Sequence, residues 1–284
     1  MQILFEVLKE TEQKLMTVTE SWHVESRMIL CHVLKCEPIE LVISKDRLLN
    51  DLELEQVNHI IHQRLLRKPL QYALGIQNFY GLDFYVDSNV LIPRPETECL
   101  VTYILEQSKL TSGSILDIGV GSGAIVVSLA DRLSGYSFVG VDISEEALKV
   151  ARLNGDRHGV NDRIRWIQSD LFESIDCELF DVIVSNPPYI PSSEALTLEP
   201  EVTQFEPHIA LFGGIDGLDL YRKIIPEALN YLKFGGLLAF EAGHDQHKAI
   251  ESIFKACGYG GVDHFCDLNG VPRFIYGRKL PIGG

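Results

Sequence analysis

The feature that most constrains this chain is a glycine-rich turn set between an apolar run and a helical one. Ser114-Ile115-Leu116-Asp117-Ile118 reads as a buried strand, Gly119-Val120-Gly121-Ser122-Gly123 as a tight turn, and Ala124 to Leu133 as a helix. Glycines let a backbone turn sharply and come close to a ligand, and the helix that follows aims its unpaired N–H groups at the same point. About twenty residues on, Asp142 ends a second strand, at the position from which a carboxylate holds a ribose. A strand, turn, helix and strand in this order require a parallel sheet with helices on its faces.

The alternation continues. Glu145 to Asn154 reads as a helix, Arg163 to Ile167 and Phe180 to Ser185 as strands, Tyr221 to Tyr231 as a helix, and Gly236 to Glu241 as a fifth strand. The first part of the chain has a different texture. Leu4, Leu8, Leu15 and Val18 recur at helical spacing. So do Val24, Met28, Ile29, Cys31 and Val33, behind a capping Ser21, and then Leu54, Val57, Ile60, Ile61 and Leu65. Between the two parts, Phe79-Tyr80-Gly81-Leu82-Asp83-Phe84-Tyr85-Val86 reads as a hairpin with a glycine turn. A stiff Pro93-Arg94-Pro95 linker follows it, and Glu96 to Glu98 open the next helix. The expected organisation is a helical bundle over 1–75 that turns its apolar stripes inward, a β-hairpin linker over 76–96, and an α/β domain over 97–284.

Charge and composition narrow the function. The 284 residues carry a net charge of −15, and the basic residues are scattered apart from Arg64, Arg67 and Lys68. A protein that grips a duplex by its phosphates shows a basic stripe, so a basic protein partner fits better than a stable nucleic-acid complex. No run approaches the roughly 20 apolar residues of a membrane span, and Met1 to Glu6 lacks a basic n-region, so the chain is expected in the cytoplasm. The six cysteines form no Cys-x-x-Cys pair. His59/His62 and His244/His247 lack the partners that complete a ligand set, so no metal is expected.

The glycine turn alone leaves two ligands open. Gly119-x-Gly121-x-x-Ala124 also fits a nicotinamide dinucleotide fingerprint. Asp117 tilts the balance, because a carboxylate before the turn repels phosphates and suits the ammonium end of a methionine. The decisive run is Asn186-Pro187-Pro188-Tyr189, just after the fourth strand. Ligands of open α/β sheets bind outside the carboxyl ends of the strands, so this loop and the glycine turn share one crevice. A side-chain amide nitrogen is a poor nucleophile, yet it carries two N–H donors. The Asn186 side-chain oxygen accepts one, and a loop carbonyl, that of Pro187, accepts the other. Tyr189 stacks on the flat amide or on a flat base. The gain in rate comes from orientation and preorganised dipoles. The expected chemistry is methyl transfer to an amide or amine nitrogen.

With those residues in view, the chain resembles the PrmC/HemK family of protein-glutamine methyltransferases. The resemblance covers nearly the whole length. It rests on Pro69-Leu70-Gln71-Tyr72, Ile92-Pro93-Arg94-Pro95-Glu96-Thr97-Glu98, the glycine turn and Asp142. It rests also on Ser169-Asp170-Leu171-Phe172, Asn186-Pro187-Pro188-Tyr189-Ile190, Phe205-Glu206-Pro207, Gly213 to Asp219, Asp267-Leu268-Asn269-Gly270 and Arg273. It implies a class I, Rossmann-like methyltransferase domain with a doubly wound, mostly parallel sheet, behind a helical bundle that recognises substrate. It implies that Asp117, Gly119, Val120, Gly121, Ser122, Gly123, Asp142 and Asn186 hold S-adenosyl-L-methionine, with S-adenosyl-L-homocysteine as product. Asp170 and Leu171 would lie along the adenine, although family members often carry Trp where Leu171 stands, and Thr where Val120 stands. Asn186, Pro187, Pro188 and Tyr189 would hold the glutamine of the Gly-Gly-Gln motif in class-1 peptide release factors, met by a monomer. Two neighbouring readings stay open: a glutamine methyltransferase of a ribosomal protein, and a DNA or RNA methyltransferase of exocyclic amines. A non-catalytic binding protein is disfavoured by the intact Asn186 and glycines.

Overall fold

A computed structural model describes residues 1–108 and 111–281. Positions 109–110 and 282–284 of the expected 97–284 domain lie outside the described residues. The chain forms two compact units, one of Met1–Ile76 with Glu199–Phe205, the other of Gln77–Leu198 and Glu206 onward.

The first unit is helical. A two-residue ladder of β1 (Gln2–Ile3) and β2 (Leu48–Leu49) accompanies α1 (Leu4–Leu15), α2 (Trp22–Leu34), α3 (Pro38–Ile43), α4 (Asp51–Leu65) and α5 (Leu70–Leu74). Leu4, Leu15, Ile29, Leu30, Leu41, Val57, Ile61 and Leu70 make its core. Two details depart from the sequence reading. Val24, Met28 and Leu65 face outward at 47%, 41% and 40% exposure, because the buried face of α2 runs through Ser26, Ile29 and Leu30 and that of α4 through Val57, Ile60 and Ile61. Ser21 precedes α2 without a side-chain cap, its backbone being far from the extended conformation that capping needs. A fully capped helix is α4, where Asn50 and Glu53 accept each other's backbone N–H, both at 2.9 Å. The basic cluster also turns inward. Arg64, 3% exposed, binds Glu25 with two nitrogens at 2.8 and 3.2 Å. Arg67 binds Glu201 at 2.7 Å and lies 3.5 Å from Glu199. A short helix α9 (Pro200–Phe205) thus belongs to this unit, which local periodicity gave no reason to expect.

The second unit opens with a hairpin of β3 (Ile76–Phe79) and β4 (Leu82–Tyr85). Its two-residue turn, Tyr80-Gly81, has both φ angles positive, the geometry that matches strand twist. Next come α6 (Glu98–Gln107), β5 (Gly113–Ile118), α7 (Ala124–Arg132), β6 (Tyr136–Asp142), α8 (Glu145–Arg157), β7 (Ile164–Gln168) and β8 (Phe180–Ser185). The chain ends with α10 (Asp219–Ala228), β9 (Leu232–Glu241), α11 (His247–Ala256), β10 (Gly260–Cys266) and β11 (Pro272–Arg278). The sheet order is β10-β11-β9-β8-β5-β6-β7. The five strands from β9 to β7 are parallel, and β11 and β10 add antiparallel at the β9 edge. Strand residues alternate between two cores. Val182 and Val184 pack on the side of α6, α7 and α8, and Ile183 on the side of α10 and α11. The strand order reverses between β5 and β8, so a crevice opens above their carboxyl ends. Among the described residues no helix is long and apolar enough to cross a membrane.

Candidate active site

Register brings the two motifs together. Ile118 on β5 lies opposite Ser185 on β8, and the Ser185 hydroxyl donates to the Ile118 carbonyl at 2.7 Å. The chain therefore leaves both strands at one level, into Gly119 on one side and Asn186 on the other. Gly119, Val120, Gly121, Ser122, Asp142, Asp170, Leu171, Asn186, Pro187 and Pro188 all line a single cavity. Asp117, Gly123 and Tyr189, also expected at the site, are not among its lining residues.

The turn is bare backbone. Gly119 and Gly121 have φ of +75° and +53°, and a Cβ on either would meet nothing within 4 Å. A side chain there would be strained and would project into the cavity. Gly123 instead packs against Ala151 on α8. Asp142 is held from below: its carboxylate accepts from Gly121 N–H and from Ser144 N–H, both at 2.9 Å. Burial raises its pKa against those hydrogen bonds. Each oxygen keeps a second lone pair for a ligand hydroxyl. Leu171 puts an apolar side chain on the cavity from a left-handed backbone (φ +52°), a conformation that costs a non-glycine residue about 1–3 kcal/mol.

Asp117 is 1% exposed. One oxygen accepts from Val126 N–H at 3.2 Å, and the other has no partner among the described residues. Burial pushes its pKa up to about 8. A buried carboxylate oxygen without a partner, behind a bare turn, suits a ligand that brings a cation or a proton.

The Asn186 loop rests on residues that sequence reasoning missed. The Asn186 side-chain nitrogen donates to Thr97 Oγ1 at 3.3 Å, and the Thr97 hydroxyl donates to Glu241 Oε2 at 2.5 Å. The Tyr189 hydroxyl donates to Glu241 Oε1 at 3.4 Å, which turns the ring toward Glu241. Burial pushes Glu241 up to about 7, opposed by Thr97 and by the charge of Arg273. An available signal was the acid at the carboxyl end of the fifth strand, the same placement that marked Asp142. The motif residues outside the cavity lock loops. Glu206, 4% exposed, accepts from Arg94 at 2.7 Å and from Ile92 N–H at 3.4 Å. Asp267 accepts from Arg273 at 2.9 Å and from the N–H groups of Asn269 and Val271.

Two family models match the chain: the PrmC N-terminal domain over residues 6–75, and the methyltransferase small domain over residues 95–201. A release factor glutamine methyltransferase of Geobacter sulfurreducens is 41% identical over 259 residues, 91% of this chain and 90% of its own. One from Caulobacter vibrioides is 38% identical over 260 residues, with 91% and 90% covered. A solved methyltransferase from Pyrococcus furiosus shares the fold at 20% identity, with a TM-score of 0.55 over 80% of this chain and 99% of that one.

Proposed function

Because this chain belongs to the release factor glutamine methyltransferase family, we propose that it methylates the side-chain amide nitrogen of the Gly-Gly-Gln glutamine in class-1 peptide release factors. The methyl donor is S-adenosyl-L-methionine, which supplies an electrophilic methyl on a sulfonium. The observation that carries the reading is that Asn186, Pro187 and Pro188 line the same cavity as the glycine turn and Asp142.

In this reading the chain's own residues divide the work. Asp142 takes the ribose hydroxyls on its free lone pairs. Asp117, buried behind the turn with one unpartnered oxygen, supports the ammonium end from outside the lining. Gly119 to Gly123 allow close approach of the backbone, and Asp170 and Leu171 border the adenine. Asn186 and the Pro187 carbonyl accept the two N–H donors of the glutamine amide, which draws electron density back to nitrogen and aims it. No dedicated base is needed, since the nitrogen turns acidic as it takes the methyl. Tyr189 acts on the loop through Glu241. The chain works as a cytoplasmic monomer with a protein substrate and without a metal.

Mass spectrometry of a purified release factor after incubation with this protein and S-adenosylmethionine tests the reading. One added methyl is expected on the normal factor and none on a factor with Ala in place of the Gly-Gly-Gln glutamine. An Asn186→Ala chain should bind the donor and fail to transfer. No methyl on the normal factor, with methyl on a ribosomal protein or an RNA instead, would overturn the substrate.

A further inference from the structure

We propose that Thr97 and Glu241 are positioning residues that fix which way the Asn186 amide faces. The inference rests on the reading above for its catalytic consequence, and on hydrogen-bond bookkeeping for its geometry. A threonine hydroxyl has one proton. Above about pH 7, where Glu241 is ionised and can only accept, that proton goes to Glu241 Oε2 at 2.5 Å, so the Thr97 oxygen has only lone pairs to offer Asn186. It therefore takes an N–H of the Asn186 amide, at 3.3 Å, and the amide oxygen is left for the cavity. The reversed amide would set oxygen against an oxygen with no proton to give. It would also turn two N–H donors toward a target that brings two N–H donors of its own.

The relay is built as a fixed part. Thr97 is 3% exposed and Glu241 is 1% exposed. Once ionised, the Glu241 carboxylate is an acceptor on both oxygens, and each has its own donor, Thr97 and the Tyr189 hydroxyl. The Tyr221 hydroxyl holds the Glu241 backbone carbonyl at 2.7 Å. The charged and titratable groups around the carboxylate are Arg273 on β11, Glu96 and Cys99 beside Thr97, Tyr189 on the loop and Tyr221 on α10. A side-chain hydroxyl and carboxylate thus do for Asn186 what second partners do for a metal-binding histidine: they select one orientation of a group that has two.

Thr97→Val keeps the shape and removes the hydroxyl, and Thr97→Ser keeps the hydroxyl. The expected result is a donor dissociation constant within about two-fold of wild type for both. The turnover number falls about ten-fold for Val and stays near wild type for Ser. A Val chain with wild-type turnover overturns the proposal. A readout without substrate is hydrogen exchange of the Asn186 side-chain amide, followed by NMR with labelled asparagine. One of its protons should be protected in wild type and in Thr97→Ser, and lose that protection in Thr97→Val. Equal exchange in wild type and Thr97→Val overturns the relay. A wild-type chain that leaves release factors unmethylated would strike the proposed substrate instead, and the exchange measurement would still judge the relay.

Discussion

Asp117 illustrates how one buried side chain ties stability to pH. Its ordinary pKa is 3.8, and burial pushes it up to about 8. Between those values the folded chain holds a proton on Asp117 that the unfolded chain releases. Stability from this residue is therefore full below about pH 4 and declines as pH rises toward 8. Asp142 and Glu241 are raised too and act in the same direction, while Asp181 and Asp267 are lowered and act in the opposite one. The difference between two chains isolates Asp117. Asp117→Asn needs no proton, so without ligand its unfolding free energy should decline less steeply between pH 5 and 7, by up to about 1.4 kcal/mol per pH unit. Urea titrations at pH 5, 6 and 7 would measure it, and parallel slopes would mean that Asp117 is ionised in the folded chain.

At the scale of elements, the loop after β8 is a built surface rather than a free turn. Gly213 N–H donates to the Ile190 carbonyl at 3.0 Å, and Ile190 N–H to the Leu211 carbonyl at 3.0 Å. The two N–H bonds of the Gln246 amide go to the carbonyls of Tyr189 (2.8 Å) and Asp216 (3.3 Å), and its oxygen accepts from Gly243 N–H at 2.9 Å. Gly217 leaves no room for a side chain. Its φ is +75°, and a Cβ there would run into the Tyr189 carbonyl oxygen and the Gln246 amide. Gly217→Ala should therefore displace the loop and lower turnover about ten- to a hundred-fold, with a small change in donor affinity. Steady-state kinetics beside calorimetry would show the split; a loss confined to donor affinity would place the effect at the glycine turn. The Gly213 to Asp219 run stood out in the sequence by resemblance alone, because its partners lie in other loops.

At the scale of the whole molecule, the acidic chain keeps part of its scarce basic charge inside the N-terminal unit. Arg64 meets Glu25 and, at 3.5 Å, Glu201, so removing it takes the guanidinium from the partly buried Glu25, while Glu201 keeps only Arg67 among the described residues. Arg64→Ala should destabilise that unit by about 3 kcal/mol and lower the midpoint of helix melting, read by circular dichroism. An unchanged midpoint would mean that the pair is only a solvated contact. The cluster Arg64, Arg67 and Lys68 looked in the sequence like a small basic patch, and only folding showed which carboxylates Arg64 and Arg67 were for.

What the sequence by itself determined was everything carried by local period and spacing. Apolar runs of strand length alternating with helical stripes dictated the five parallel strands. The glycine turn and Asp142 dictated one wall of the crevice, and Asn186-Pro187-Pro188 the other. The Asn50 and Glu53 cap was equally local. The antiparallel pair β10 and β11 was less visible, because much of edge strand β10 is exposed and carries no apolar run. The tertiary structure alone decided the support of the site. Thr97 meets Glu241 across 144 residues and Asn186 across 89. It also decided that Glu199–Phe205 joins the helical unit. Such partners share no period and no neighbourhood in the chain. They meet only because β5, β8 and β9 end at one level of the sheet, and burial there leaves each polar atom to be matched by whatever donor or acceptor the fold brings within reach.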